Sequence, residues 1–408
     1  MSTSYILRLI KEALNHNLKF VYMDLAIRLV LNFYIFTLIT VKVNSNIFSL
    51  YAFAILSSSL IVQVINGSTE IAINKNLLKN TNFLNYFLYK IFLALILFTP
   101  IFFITKFSIY TLIVCVSSLI GLVGEHLELK LRYNYDYEIY FYKILIQFFC
   151  FLFKYKFIID GGVILVLLIS MIEVFIVSSL GFLFLKKYFY GNNDNLKYFL
   201  IREKSALLKY TASGFLIFLF FKLDQIYVYF KLNSHVFSTY FIASRFNEIL
   251  NTMVAVWARY SIPKLFKEDN IEVFRKVILK NIIAHILISI LIFFVVLFYT
   301  IFLNPQYSAI VYIYTILSVS GLFLVFGQVR GIYFVKNDYI IPDILNAIIG
   351  ILVFISSLWL FELLFNSFYV IPLAYLFGFM FSGFLTTFLY KLGRDFIFKL
   401  FFLGRKYD

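Results

Sequence analysis

Long apolar stretches alternate with short polar connections along the whole chain. A stretch such as Ile282 to Thr300 is almost unbroken apolar sequence, close to the 20 or so residues that a helix needs to cross a bilayer. Strands of an outer-membrane barrel would instead alternate apolar and polar residues over about ten positions. The pattern therefore predicts an all-α membrane protein of about twelve transmembrane helices, at 21–41, 46–70, 85–105, 108–128, 139–159, 161–185, 207–230, 235–258, 281–303, 308–329, 338–361 and 370–390.

Polar segments frame the apolar stretches and suggest a domain organisation. In the first of them, Leu7, Ile10 and Leu14 recur at steps of three or four residues, which is typical of an amphipathic helix lying at a membrane interface. The predicted segments are an interfacial helix at 1–20, an N-terminal six-helix lobe at 21–185, a cytoplasmic linker at 186–206, a C-terminal six-helix lobe at 207–390 and a basic cytoplasmic tail at 391–408.

A short internal repeat relates the two lobes. Residues 42–54 read KVNSNIFSLYAFA and residues 231–243 read KLNSHVFSTYFIA. The shift carries the first two predicted helices onto the seventh and eighth, an even number of crossings. Both halves are therefore expected to have the same orientation, as two parallel-oriented lobes around a central cleft.

Composition and charge agree with a membrane location. The chain is 62% hydrophobic and only 14% charged, which excludes an ordinary soluble domain, and its net charge of +15 comes from basic residues that lie mainly between apolar stretches. Most of these fall in alternate connections, which predicts that both termini are cytoplasmic. The opposite side is assigned only Lys42, Lys106, Lys154, Lys156 and Lys231.

Six charged residues lie deep inside the predicted helices, where a charge is costly and normally faces a protein interior or an aqueous cavity. The six are Arg28, Glu173, Lys222, Asp224, Arg245 and Glu248. On the first helix, Asp24, Arg28 and Asn32 recur at steps of four and form a polar stripe.

Two interpretations of these charges remain open. In one, Arg28, Asn32, Lys222 and Arg245 bind substrate, while Glu173, Asp224 and Glu248 serve in gating or ion coupling. In the other, Asp224, Arg245 and Glu248 neutralise one another, through an Asp224–Arg245 ion pair among others, and only position the helices. Glu173 has no obvious partner within its own helix.

Residues for catalysis or for a cofactor are not evident in the sequence. The four His residues have no metal-ligand spacing, and Cys115 and Cys150 lie in apolar stretches, where they read as buried small hydrophobes. The sequence also contains no P-loop. We therefore expect no catalytic residues, no metal and no cofactor, and a protein that is not an enzyme.

The run FKLDQIYVYFKLNSHVFSTYFIASRFNEILN at 221–251 resembles the seventh and eighth helices of Wzx-type O-antigen and polysaccharide flippases. These belong to the multidrug, oligosaccharidyl-lipid and polysaccharide exporter superfamily. The resembling elements are Leu223-Asp224-Gln225, Tyr240, Ala243-Ser244-Arg245 with Glu248, and Pro263. Asn44 and Asn233 stand in outer loops where the family usually has Gly.

The resemblance implies that the chain moves undecaprenyl-pyrophosphate-linked oligosaccharide across the bacterial inner membrane by alternating access, for O-antigen, lipopolysaccharide or other surface polysaccharide. Implied partners are the lipid-linked substrate, membrane lipid, and a polysaccharide polymerase with its chain-length machinery; no nucleic acid is expected.

Three alternatives remain. A drug or cation antiporter of the same superfamily would share the fold. A flippase for lipid-linked peptidoglycan precursors is chemically similar, although the members compared carry two more helices. A polysaccharide polymerase or ligase would need longer outward loops than those predicted here.

Overall fold

The computed structural model describes residues 19–74, 83–104, 108–133, 138–160, 162–185, 196–259, 265, 271–337, 341–365 and 367–401. Within these residues the chain forms α-helices joined by turns and short π- and 3-10-helical segments, and no strand. We number the helices α1 Lys19–Lys42, α2 Ser45–Asn74, α3 Phe83–Ile104, α4 Ile109–Tyr133, α5 Glu138–Ile159, α6 Val163–Leu185, α7 Leu196–Lys231, α8 Ser234–Arg259, α9 Ile271–Phe298, α10 Ile310–Lys336, α11 Ile341–Leu364, α12 Val370–Gly383 and α13 Lys391–Phe401.

Helices α1 to α12 correspond one to one with the twelve predicted apolar stretches, so the predicted all-α membrane fold is confirmed. Among the described residues, six segments are long and apolar enough to cross a membrane: Ser45–Ile65, Val163–Leu180, Ile271–Leu303, Ile310–Phe334, Ile344–Leu364 and Val370–Leu389. Helices α3 and α4 have shorter apolar segments. The remaining helices, α1, α5, α7 and α8, each hold charged side chains that lower their hydropathy, and these helices supply most of the candidate site.

Two compact units make up the chain, residues 1–214 and 215–408. The division falls within α7, beyond the predicted linker at 186–206, whose residues 196–206 are the helical start of α7. Residues 186–195 lie outside the described residues, as do 1–18 of the predicted interfacial helix. Each unit is therefore an independently packed set of helices.

The same packing pattern occurs in both units. In the first, α2 contacts α3 and α4, α4 contacts α6, and α5 contacts α6. In the second, α8 contacts α9 and α10, α10 contacts α12, and α11 contacts α12. Adding six to each helix number converts the contacts of the first unit into those of the second, which supports the internal repeat.

The repeated loops also begin their helices in the same way. Asn44 Oδ1 accepts the backbone N–H of Ile47 at 2.9 Å, and Asn233 Oδ1 accepts that of Val236 at 2.9 Å. Each Asn is thus the N-cap of the following helix and satisfies one of its unpaired backbone donors. This local role explains the presence of Asn in both repeated loops.

Apolar clusters hold each unit together. In the first unit, Ile65, Phe98 and Cys115 pack in the interface of α2, α3 and α4. In the second, the predicted tail contributes helix α13, whose Phe396 and Leu400 are buried against α9 and α10. Residues 391–401 are therefore an amphipathic helix that belongs to the core of this unit, and 402–408 lie outside the described residues.

Candidate functional site

The second unit places one deep carboxylate between two deep cations. Glu248 on α8 accepts hydrogen bonds from Lys222 Nζ on α7 and, at 2.5 Å, from Arg245 Nη1 one turn earlier on its own helix. The Lys222 side chain is only 5% exposed, whereas those of Arg245 and Glu248 are 23% and 29% exposed. Two cations facing one anion leave this Lys222–Arg245–Glu248 cluster with a net positive charge.

Asp224 belongs to a separate contact. Its Oδ2 accepts the Tyr240 hydroxyl at 2.7 Å, and its Oδ1 has no hydrogen-bond partner among the described residues. The interpretation of an Asp224–Arg245 ion pair is therefore wrong, because no described contact joins the two side chains.

Depth along the helices explains the pairing. With a rise of about 1.5 Å per residue, Asp224 lies about 10 Å from the C-terminal end of α7 and Tyr240 about 9 Å from the start of α8. Arg245 lies about 16 Å from that start, one helical turn from Glu248. The Asp224 carboxylate therefore contacts the Tyr240 hydroxyl, which lies at a similar depth. Glu248 instead contacts the deeper cations, Lys222 and Arg245.

Several polar atoms in the middle of α8 are buried without a described partner. The Arg245 guanidinium packs over the Phe241 ring at 4.6 Å, and its Nη2 has no hydrogen-bond partner within the described part of the chain. Ser244 Oγ, one residue before Arg245, and Asn247 Oδ1, two residues after it, are likewise buried without a described partner. The middle of α8 thus offers both donors and acceptors to a polar ligand.

The first unit pairs Arg28 with Asp24, as the spacing on α1 predicts. Arg28 Nη2 donates to Asp24 Oδ2 at 2.6 Å, and Gln147 of α5 donates to Asp24 Oδ1 at 3.1 Å. The Asp24 side chain is 4% exposed, but that of Arg28 is 42% exposed. The carboxylate is enclosed while its guanidinium partner stays accessible.

Glu173 finds its partner on a neighbouring helix. Lys154 Nζ of α5 donates to Glu173 Oε2 of α6 at 2.5 Å, and the two side chains are 7% and 15% exposed. The prediction that Lys154 lies in an outward connection is wrong, because α5 continues to Ile159 and buries it. Because Lys154 lies within the predicted helix 139–159, its place inside a helix could have been predicted from the sequence.

A small polar pocket in the first unit brings these residues together. Its lining includes Arg28, Asn32, Gln147, Lys154 and Glu173. Three predicted site residues thus share one pocket, to which Gln147 and Lys154 add contacts that the sequence analysis missed. The described residues contain no group of three His, Cys, Asp or Glu side chains suited to a metal ion.

Comparisons with known proteins bear on the fold. No family model matches the chain, and no curated protein matches it by sequence. Among solved structures, a lipid II flippase, MurJ, in an inward closed conformation aligns with a TM-score of 0.64 and 14% identity, covering 95% of this chain and 93% of that one.

Transporters of the MATE family align over similar lengths. The P26A mutant of a MATE protein gives a TM-score of 0.57 at 13% identity, covering 92% of this chain and 94% of that one. An inward-facing multidrug resistance MATE transporter of the MOP superfamily gives 0.54 at 13%, with 91% of each chain covered. The chain is a multi-pass membrane protein with the fold shared by this lipid II flippase and the MATE transporters.

Proposed function

We propose that this protein flips an undecaprenyl-pyrophosphate-linked oligosaccharide across the bacterial inner membrane, by alternating access of its two units, for O-antigen or other surface polysaccharide synthesis. The observation that carries the proposal is the placement of the deep charges. Arg28 in one unit and Arg245 in the other are deep cations whose side chains are 42% and 23% exposed, whereas Asp24 is enclosed and Glu248 is shared between two bases.

An anionic head group fits this arrangement. A guanidinium presents a planar set of donors that matches phosphate oxygens, and charge-assisted hydrogen bonds of this kind are the stronger ones. Arg245 Nη2 is a buried donor without a described partner, and the net positive charge of the Lys222–Arg245–Glu248 cluster favours an anion nearby. The sugar hydroxyls would be met by exposed polar side chains such as Asn32, while the lipid tail remains in the bilayer.

The remaining parts of the proposal concern energy, topology and partners. With both termini in the cytoplasm, outward movement of an anion follows a membrane potential that is negative inside, at about 2.3 kcal/mol per charge per 100 mV. This drive would not require a coupled ion. The product would pass to a polysaccharide polymerase and its chain-length machinery.

Arg245→Lys should slow flipping at least tenfold while the protein keeps its abundance and folding. Lysine retains the charge but loses the planar fork, which removes at least one charge-assisted hydrogen bond worth about 1.5–3 kcal/mol. The measurement is the exposure of labelled lipid-linked oligosaccharide in proteoliposomes to an impermeant glycosidase. Arg394→Lys, at an exposed site on α13, is the matched control and should flip at the wild-type rate. Wild-type flipping by Arg245→Lys would contradict a role in substrate binding.

A drug or cation antiporter is the second candidate, and Asp224 is the observation that favours it. A buried carboxylate oxygen without a described partner is suited to hold a proton or cation during transport. On this account Asp224→Asn should abolish drug efflux driven by an imposed proton or sodium gradient. On the flippase account, Asp224→Asn should leave flipping driven by the membrane potential within about threefold of wild type, because the amide still accepts the Tyr240 hydroxyl.

A further inference from the structure

The second unit contains a cavity of about 270 Å³ between α7, α10, α11 and α12. It is distinct from the Lys222–Arg245–Glu248 cluster, none of whose side chains line it. Phe220, Phe221, Phe323 and Phe379 form its apolar walls, with Ile217, Leu324 and Ala347. This volume exceeds that of an engineered apolar cavity of about 150 Å³ that binds benzene. The cavity can therefore accommodate a segment of hydrocarbon chain.

One end of the cavity is polar. Asn346 lines it and is 2% exposed, yet neither its Nδ2 nor its Oδ1 has a hydrogen-bond partner among the described residues. Leaving an amide buried without partners is costly, so a missing partner is expected at this point. The buried side chain therefore points to a ligand that both accepts and donates hydrogen bonds.

Arg330 gives this polar end its charge. It also lines the cavity and is 4% exposed, and its Nη1 is oriented by the backbone oxygens of Ser382 and Gly383 and by Thr387 Oγ1, at 2.9–3.0 Å. These three acceptors are neutral, and the guanidinium brings a positive charge to the lining of the cavity. A cationic ligand is disfavoured here and an anionic one is favoured.

The polar and apolar ends are ordered along the helices. Arg330 lies six residues before the end of α10 and Asn346 five residues after the start of α11, so both are near helix ends. Phe220 and Phe221 lie closer to the middle of the membrane-crossing part of α7. A lipid has the same order, with its polar head at the membrane surface and its chain toward the centre.

We propose that this cavity binds one chain of an anionic amphiphile, with a phosphate-type head that carries a hydroxyl at Arg330 and Asn346 and with its hydrocarbon chain among the four phenylalanines. The site does not depend on the transported substrate proposed above. The ligand would occupy the interior of the second unit.

Dodecyl phosphate is a suitable probe because its head carries both acceptor oxygens and a hydroxyl. Native mass spectrometry of the delipidated, detergent-solubilised protein should show one bound dodecyl phosphate per chain, and the probe should raise the thermal unfolding midpoint. Dodecyltrimethylammonium has the same chain with a cationic head, and it should bind at least tenfold more weakly.

Two variants test the two ends of the cavity. Ala347→Phe fills the apolar part and should abolish binding. Asn346→Leu keeps the side-chain shape but removes the head-group contacts, so its affinity should fall at least tenfold. Without ligand, Asn346→Leu should unfold at the same temperature as wild type or higher, because it removes two unpartnered amide atoms. This variant therefore remains informative if Ala347→Phe does not fold.

Asn281→Leu is the matched control. Asn281 is 1% exposed and has an unpartnered Oδ1, but it lies on α9 and does not line the cavity. This variant should bind dodecyl phosphate as wild type does. Equal binding of the anionic and cationic probes, or wild-type affinity in Asn346→Leu, would overturn the proposal.

Discussion

Glu248→Gln should lower the free energy of unfolding by about 3–5 kcal/mol. Removing one partner of a buried ion pair leaves an uncompensated charge, and here two cations lose their anion together. Lys222 is almost fully buried, so it accounts for most of the loss. The measurement is unfolding in mixed micelles, with abundance in the membrane as a second readout.

Glu272→Gln is the matched control for this change. Glu272 pairs with Lys276 at 3.8 Å on α9, and both side chains are well exposed. Exposed pairs contribute at most about 1 kcal/mol, so little effect is expected. Adding Lys222→Met to Glu248→Gln should recover more than half of the lost stability. A double variant as unstable as the sum of the two single variants would mean that Lys222 and Glu248 are not coupled.

Lys154→Met should destabilise the first unit by about 3 kcal/mol. The change leaves the Glu173 carboxylate in the interface of α5 and α6 without the ammonium group that compensates it. The thermal unfolding midpoint and membrane abundance should both fall. Lys156→Met, two residues later at an exposed position of α5, should be neutral.

Exchanging the two charges tests whether the pair acts as a unit. Lys154→Glu combined with Glu173→Lys keeps one cation and one anion in the same place, so it should be more stable than either single charge change. If the exchange is no better than the worse single variant, the contact is not energetically coupled, and the loss in Lys154→Met would come from packing.

Helix number and order could be predicted from the sequence because a bilayer imposes the same length and apolarity on every crossing. The repeat was also visible, because the Asn caps and the residues that follow them are local features. The Arg28–Asp24 pair could be predicted for the same reason, because a spacing of four residues along a helix brings two side chains together.

Contacts between helices could not be predicted in this way. They depend on relative depth and rotation, which is why Tyr240 and not Arg245 meets Asp224, and why the partner of Glu173 was missed although Lys154 lies in a predicted helix. Asn346 could not be recognised from the sequence as a ligand-binding residue either. A single amide in apolar sequence becomes informative only when the surrounding helices leave it beside a cavity without partners.

The docking of α13 has a consequence for how the protein is made. Phe396 and Leu400 complete the apolar cluster formed with Phe274 and Phe326, although the whole of α11 and α12 is synthesised between α10 and α13. Domains generally fold as their residues leave the ribosome. The apolar side chains near the start of α9 and the end of α10 therefore remain uncovered until residue 400 has been synthesised. During that interval the nascent second unit is open to chaperones and proteases on that face, and arrest of synthesis before α13 would leave an incompletely closed product for degradation.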